Sequence, residues 1–153
     1  MKYDDASWHY DSIKDFLSDE DRLAKSCGHI VACISSCIKL GLFKPDDIEV
    51  CEELERVGND NKSIEEFFIK WCDCKLVDSD FTKDGNEFTR AYYTQYLDEV
   101  DIIAAGCILT KRANEFPQNE ITNRIQMQYL NWMETGKLLT DNKRVKWAWW
   151  KLW

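Results

Sequence analysis

Apolar residues recur at steps of three and four along most of the chain, and this spacing constrains the fold more than any other feature of the sequence. Side chains three and four positions apart lie on one face of a helix, so the pattern between Ser18 and Gly41 predicts a long amphipathic helix. Four further segments show the same spacing, and they start near Pro45, Ser63, Phe88 and Pro117. We therefore predict an all-α fold, a bundle of about five amphipathic helices in a single domain over residues 1–153.

Residues that favour helix ends set the predicted boundaries. Pro45 is expected in the first turn of the second helix. Ser63, with Glu66 three residues later, predicts a capping box at the start of the third helix. Gly41 and Gly136 are expected to end the first and fifth helices.

The apolar faces of these helices predict the core. On the second helix, a stripe of Ile48, Cys51 and Leu54 is expected to face this core. The core itself is expected to contain Ile34, Phe67, Trp71, Tyr92 and Trp132.

Composition supports a globular chain in a reducing compartment. Hydrophobic residues make up 44% and charged residues 31%, whereas only two prolines and six glycines are present, fewer than the turns of an all-β fold require. Seven cysteines form no disulfide framework, and no apolar run is long enough to span a membrane. The N-terminus lacks the basic start and apolar run of a signal peptide. We expect a cytoplasmic protein with free thiols.

The C-terminal residues 145–153 form a Trp-rich arm. Alternation at Val145, Trp147 and Trp149 predicts either a short strand or an extended arm. Tryptophans with interleaved lysines also occur in membrane-interface anchors. We favour docking of this arm on the protein's own body or on a partner, because tryptophan is enriched at binding hot spots.

The charge is strongly acidic and unevenly distributed. The net charge is −8, and residues 1–101 hold 24 acidic against 12 basic side chains. Such a body repels nucleic-acid phosphates and anionic membranes, so neither is an expected partner, whereas a basic protein is. The candidate partner-binding carboxylates lie on the second helix and on the turn after residue 77: Asp46, Asp47, Glu49, Glu52, Glu53, Glu55, Asp78, Asp80 and Asp84.

The sequence contains no complete metal, cofactor or catalytic motif. The turn from Asp78 to Gly85 resembles a calcium loop, but Ala91 stands where a bidentate glutamate is needed. Cys72 and Cys74 lack a second pair of ligands for zinc, and phosphate or dinucleotide fingerprints are absent. We therefore predict no metal, no cofactor and no catalysis.

One catalytic alternative stays open. His9 lies close to Asp4 and Asp5 in the chain, and His29 lies on the first long helix. These residues form an acid–base set for a small cytosolic enzyme.

Several short segments together carry a family resemblance. Residues 3–10 read YDDASWHY, and His29-Ile30 resembles a Thr-His-Ile-Gly segment, with Gly28 and Val31 as departures from it. The segments CDCKL, DGNEF and AYY extend the likeness through the first two thirds of the chain. Over residues 3–97 the sequence resembles a bacterial domain family of unknown function. The family resemblance implies no activity.

The chain is small and acidic, and it resembles a bacterial domain family. In these respects it is similar to immunity proteins of bacterial toxin systems, including contact-dependent growth inhibition. The leading hypothesis is therefore an immunity protein that occludes the active site of a toxin domain, expected to be a basic nuclease, through an acidic surface. The alternatives are the small enzyme described above and a phage-type inhibitor of a host factor.

Overall fold

The computed structural model describes residues 1–13, 17–58, 60–106 and 108–140, and within them the chain is mainly helical. Two short strands and two 3₁₀ turns accompany six helices in this part of the chain. The strands are β1 (Lys2–Asp5) and β2 (Lys75–Val77), and the 3₁₀ turns span Asp78–Asp80 and Ala113–Glu115. The helices are α1 (Ala6–Tyr10), α2 (Asp19–Lys39), α3 (Ile48–Arg56), α4 (Asn61–Trp71), α5 (Lys83–Ile103) and α6 (Gln118–Thr135). The predicted helical fold class is confirmed.

Helix α2 is the centre of the fold. The side chain of Ser18 caps its N-terminus by accepting from the backbone N–H of Asp21 at 3.1 Å. From Ser26 to Cys37 every residue is buried, and α1, α4 and α6 pack around the helix. None of the helices in the described ranges is both long and apolar enough to cross a bilayer.

The two glycine helix ends are confirmed, but three helix starts differ from the prediction, since α5 begins at Lys83 and not near Phe88. Gly41 and Gly136 both adopt left-handed backbone, with φ of 69° and 67°. Helix α4 begins earlier than Ser63, because the side chain of Asp60 accepts from the first free N–H groups and caps the helix. Pro45 lies outside α3, which Asp47 caps in the same way.

The predicted core is partly correct. Ile34, Phe67 and Tyr92 are buried, whereas Trp71 and Trp132 are only partly buried and pack against the core from its edge.

The stripe on α3 reaches the core only in part. Leu54 is half-buried and packs against the core, and Cys51 is half-buried, whereas Ile48 is 75% exposed. Helix α3 contains no buried residue at all, because it lies at the periphery of the fold.

A small antiparallel sheet, absent from the prediction, fixes the N-terminus. Strand β1 pairs with β2, and the amide of Ala6 continues the pairing by donating to the carbonyl of Cys74 at 3.0 Å. The N-terminal ammonium of Met1 lies 2.6 Å from Asp78 and adds an ion pair. The first residues are therefore part of the fold.

A buried charge pair holds α6 against α5. The guanidinium of Arg124 donates from Nε to Glu99 at 2.8 Å, and Tyr92 and Gln128 donate to the same carboxylate at 2.5 and 2.9 Å. Gln128 also hydrogen-bonds both backbone groups of Leu139. The predicted strand or docking arm over residues 145–153 lies outside the described residues.

Candidate functional site

Asp4 is the hub of a buried polar cluster that draws on four elements. Strand β1 directs the carboxylate of Asp4 inward, and it is 2% exposed. The chain then turns into α1, where the side chain of Asp5 caps the helix by accepting from the amide of Ser7 at 2.9 Å. This turn returns His9 to Asp4, while α2 contributes His29 and α5 contributes Tyr93.

Four donors surround the Asp4 carboxylate. Nε2 of His9 lies 2.6 Å from Oδ1, and Nε2 of His29 lies 3.1 Å from Oδ2. The hydroxyl of Tyr93 donates to Oδ2 at 2.7 Å, and the backbone amide of Asp5 donates to Oδ1 at 2.7 Å. The two imidazoles meet edge to face, with ring centroids 4.6 Å apart. The catalytic alternative thus correctly grouped Asp4, His9 and His29.

Burial and hydrogen bonds together set the protonation states of Asp4 and His29. Burial by itself would raise the pKa of Asp4, but the hydrogen bonds from His29, His9 and Tyr93 outweigh burial and hold that pKa far below its usual range. Burial lowers the pKa of His29 against the opposing pull of Asp4. Asp4 is therefore ionised and His29 neutral at pH 7. His9 alone reaches solvent, with its side chain 21% exposed.

The side chains of Asp5 and of the two nearest candidate nucleophiles, Ser7 and Ser26, do not join the cluster. Burial opposes ionisation of Asp5, but hydrogen bonds from Lys2 and Ser7 lower its pKa to about 2. The hydroxyl of Ser7 donates to Asp5, and that of Ser26 donates to the carbonyl of Leu23. Neither serine hydrogen-bonds a histidine, so no nucleophile–base pair forms here.

Cys72 and Cys74 do not come together with Cys27 and His29 of α2 into one zinc site. Cys27 hydrogen-bonds Cys74, which raises the pKa of the Cys27 thiol. His29, two residues along α2, points to Asp4 instead. Cys72 is half-buried, and burial raises the pKa of its thiol. In the described ranges, only Asp4, His9 and His29 place three potential metal ligands together.

Seven of the nine predicted carboxylates lie on two segments of the chain that backbone hydrogen bonds join. Backbone hydrogen bonds join the chain before α3 to the 3₁₀ turn: the amide of Lys44 donates to the carbonyl of Asp80 at 2.8 Å, and that of Asp46 to Ser79 at 2.9 Å. We call the exposed and half-buried carboxylates of these two segments the acidic face. Its members are Asp46, Asp47, Glu49, Glu52, Glu53, Glu55 and Asp78.

Two predicted carboxylates stand apart from the acidic face. Asp80 is only 8% exposed and accepts from the amide of Val77, so its carboxylate is not accessible to a partner. Asp84 is exposed, but it lies in the first turn of α5.

Sequence reasoning missed Tyr93 and Glu99. Tyr93 contacts Asp4 across 89 positions, and Glu99 meets Arg124 across 25. Neither contact can be predicted from the spacing of residues within one helix, because the partners lie far apart in the sequence. The run of Tyr92, Tyr93 and Tyr96 on one helix was the available signal, since buried tyrosine hydroxyls require partners.

The fold and the cluster define a class: a small, mainly helical domain with a carboxylate–imidazole cluster beneath its N-terminal strand. Within that class the chain belongs to a family described as "Domain of unknown function (DUF7832)", which matches residues 2–112. No curated protein and no solved structure matches the chain. Arg124 and the rest of α6 lie outside the matched residues.

Proposed function

We propose that this protein binds a basic protein through the acidic face and neutralises it, as the immunity protein of a bacterial toxin system does. The observation that carries the proposal is the set of exposed carboxylates on α3 and just before it. The amide of Asp46 donates to the carbonyl of Ser79 at 2.9 Å, which places the segment leading into α3 beside the turn that holds Asp78, a residue paired with the N-terminal ammonium.

The position of α3 supports a binding role. A helix with no buried residue contributes little to the core, and local capping by Asp47 does much to hold its first turn. Exposed acidic residues on α3 and just before it present negative charge to solvent, and Glu52 among them lies 4.0 Å from Arg56. These residues are Asp46, Asp47, Glu49, Glu52 and Glu55.

An exposed apolar side chain lies among these charges. Ile48 is 75% exposed at the first position of α3, between Asp47 and Glu49. Apolar anchors inside a charged rim are typical of protein interfaces, where the anchor supplies burial and the charges supply steering. The acidic face thus fits a partner with a basic surface and an apolar pocket, such as a toxin nuclease.

The first prediction tests the acidic face by charge reversal. Reversal of Glu49, Glu52 and Glu55 to lysine should slow association with the basic partner at least about tenfold at low ionic strength, because steering depends on the field of the whole cluster. The candidate partner is the product of the reading frame immediately upstream, co-expressed with the full chain. Stopped-flow association at low and high salt is the measurement.

A matched control carries the same change of charge elsewhere. Glu87, Asp98 and Glu134 are exposed on α5 and α6, and their reversal to lysine should slow association much less. Circular dichroism verifies that both triple variants fold. Equal slowing by the two variants would contradict a specific role for the acidic face. A partner that proves to be a host factor would favour the phage-type inhibitor.

The convergence of Asp4, His9 and His29 favours a second candidate function, a small enzyme. In that case His9, the member of the cluster that reaches solvent, would transfer the proton, and Asp4 would orient its ring. The two functions predict opposite results. Loss of activity in His9→Gln, with normal activity after reversal of the acidic face, would establish the enzyme.

A further inference from the structure

Two imidazoles and one carboxylate converge where the fold brings β1, α1 and α2 together. The two Nε2 atoms of His9 and His29 each approach a different oxygen of Asp4, at 2.6 and 3.1 Å. One ligand atom from each of these residues lies within 4.8 Å of the other two. We propose that Asp4, His9 and His29 bind one divalent metal ion such as zinc, iron, cobalt or nickel.

The spacing suits such an ion. In a tetrahedral zinc site with bonds of about 2.0–2.1 Å, ligand atoms lie about 3.4 Å apart. The two carboxylate–imidazole distances here, 2.6 and 3.1 Å, are shorter than this, and all three ligand atoms lie within 4.8 Å of one another. An ion would replace the two imidazole–carboxylate hydrogen bonds, after small rotations of the side chains.

The ligand set selects the class of metal. Calcium and magnesium prefer all-oxygen sites, whereas two imidazoles with one carboxylate suit zinc, iron, cobalt or nickel. Catalytic zinc sites often have three protein ligands of this kind and a water in the fourth position. Solvent reaches the cluster at His9, whose side chain is 21% exposed, so that side is where water would complete the coordination.

The surroundings hold the carboxylate in place. Tyr93 and the amide of Asp5 donate to opposite oxygens of Asp4, both at 2.7 Å, as outer hydrogen bonds do around metal ligands. Nε2 is the nitrogen of His29 that faces Asp4. Within the described part of the chain, its Nδ1 has no hydrogen-bond partner, so this imidazole has no outer acceptor of its own.

The second prediction is that the untagged full-length protein binds zinc in an equimolar complex. Competition against a chromophoric chelator measures the affinity, and cobalt(II) serves as the spectroscopic probe. His9→Gln should weaken zinc binding at least about tenfold, because a ligand is lost. His9 is the residue to change because it is partly exposed, whereas Asp4 and His29 support the core. Circular dichroism verifies the fold of the variant.

Asp11→Asn is the matched control, since Asp11 is an exposed carboxylate at the end of α1. This variant should bind zinc like the parent. The cobalt spectrum separates the site from the cysteines, because thiolate ligands add a charge-transfer band in the near ultraviolet.

Three results would each overturn the proposal: no equimolar binding, binding that His9→Gln leaves unchanged, or a thiolate band in the cobalt complex. Any of them would leave Asp4, His9 and His29 as a hydrogen-bonded core cluster only. The metal site uses residues separate from the acidic face, so its failure does not affect the proposed binding of a basic protein.

Discussion

The fold disfavours the ionised form of Asp80. Burial raises its pKa to about 6, with Asp78 and Asp46 adding to the effect, while the hydrogen bond from the amide of Val77 only partly offsets it. Because the folded-state pKa lies above the unfolded value of 3.8, the folded protein binds this proton more tightly. The resulting stabilisation is complete below pH 3.8 and is lost as the pH rises through about 6.

The third prediction follows from this shift. Asp80→Asn should raise the free energy of unfolding at pH 8 by about 1–2 kcal/mol, because the amide oxygen still accepts from Val77 without a buried charge. At pH 3.5 the two proteins should differ little. Urea unfolding between pH 3.5 and 8 is the measurement. Asp78→Asn is the control, and its loss of the ion pair with Met1 should destabilise the protein at pH 8.

At the scale of single residues, proximity along the chain predicts some members of the Asp4 cluster but not all of them. Asp4, Asp5 and His9 are near neighbours in the sequence, and two of the three meet in the cluster. Asp5 was assigned to the same set, but its carboxylate caps α1 instead, a role that short polar residues before a helix commonly have. Tyr93 could not be added, since its hydrogen bond spans 89 positions.

At the scale of elements, Gly28 permits the closest approach of α2 to another segment. A Cβ atom at this position would lie 2.3 Å from the carbonyl oxygen of Lys111 and 3.0 Å from the ring of Phe116. The backbone after residue 110 therefore packs directly on the helix. This contact, and not backbone conformation, requires glycine here.

The fourth prediction is that Gly28→Ala lowers the free energy of unfolding by about 1–3 kcal/mol, because the helix and the 111–116 segment must separate. Helix propensity alone predicts the opposite sign, a gain of about 1 kcal/mol. Denaturant unfolding distinguishes the two outcomes. Lys39→Ala, an exposed change on the same helix, should stay within about 0.5 kcal/mol of the parent. Increased stability of Gly28→Ala would refute the close contact.

Local signals located the five longer helices but not α1, every helix end or either strand. Gly41 and Gly136 act within their own turns, so their effect was predictable. Asp60 and Ser63 are both good N-cap residues, and only the fold decides that Asp60 caps α4. Strands β1 and β2 have four and three residues, too few for alternation to appear.

At the scale of the whole molecule, the family match ends at residue 112, before α6 begins. The later helix nevertheless contributes Ile121 and Ile125 to the core, both 1% exposed. It also provides Arg124, which neutralises Glu99. The folding unit therefore extends beyond the matched residues.

The fifth prediction is that a chain ending at residue 112 loses cooperative thermal unfolding. It would lose the apolar burial of Ile121 and Ile125 and the ion pair between Glu99 and Arg124, which together hold α6 on the rest of the fold. A chain ending at residue 140 keeps all described contacts and should still unfold cooperatively. Calorimetry of both chains is the test, and a cooperative transition in the shorter chain would contradict it.

The fold class was predictable because helical periodicity is repeated along the chain, so errors at single positions do not change the result. The arrangement of the helices was not predictable. Contacts such as that between Tyr93 and Asp4 depend on pairings distant in sequence, and the peripheral position of α3 follows from where the other helices pack.

The pairing of Glu99 with Arg124 has a consequence for the divergence of this family. A carboxylate buried at 7% exposure tolerates loss of its cation poorly, so neither residue can change alone without a cost. Relatives are expected to keep both or to exchange both, in a compensated substitution across 25 positions. One member of the pair lies inside the matched stretch and the other beyond it, so only full-length comparison would reveal their shared inheritance.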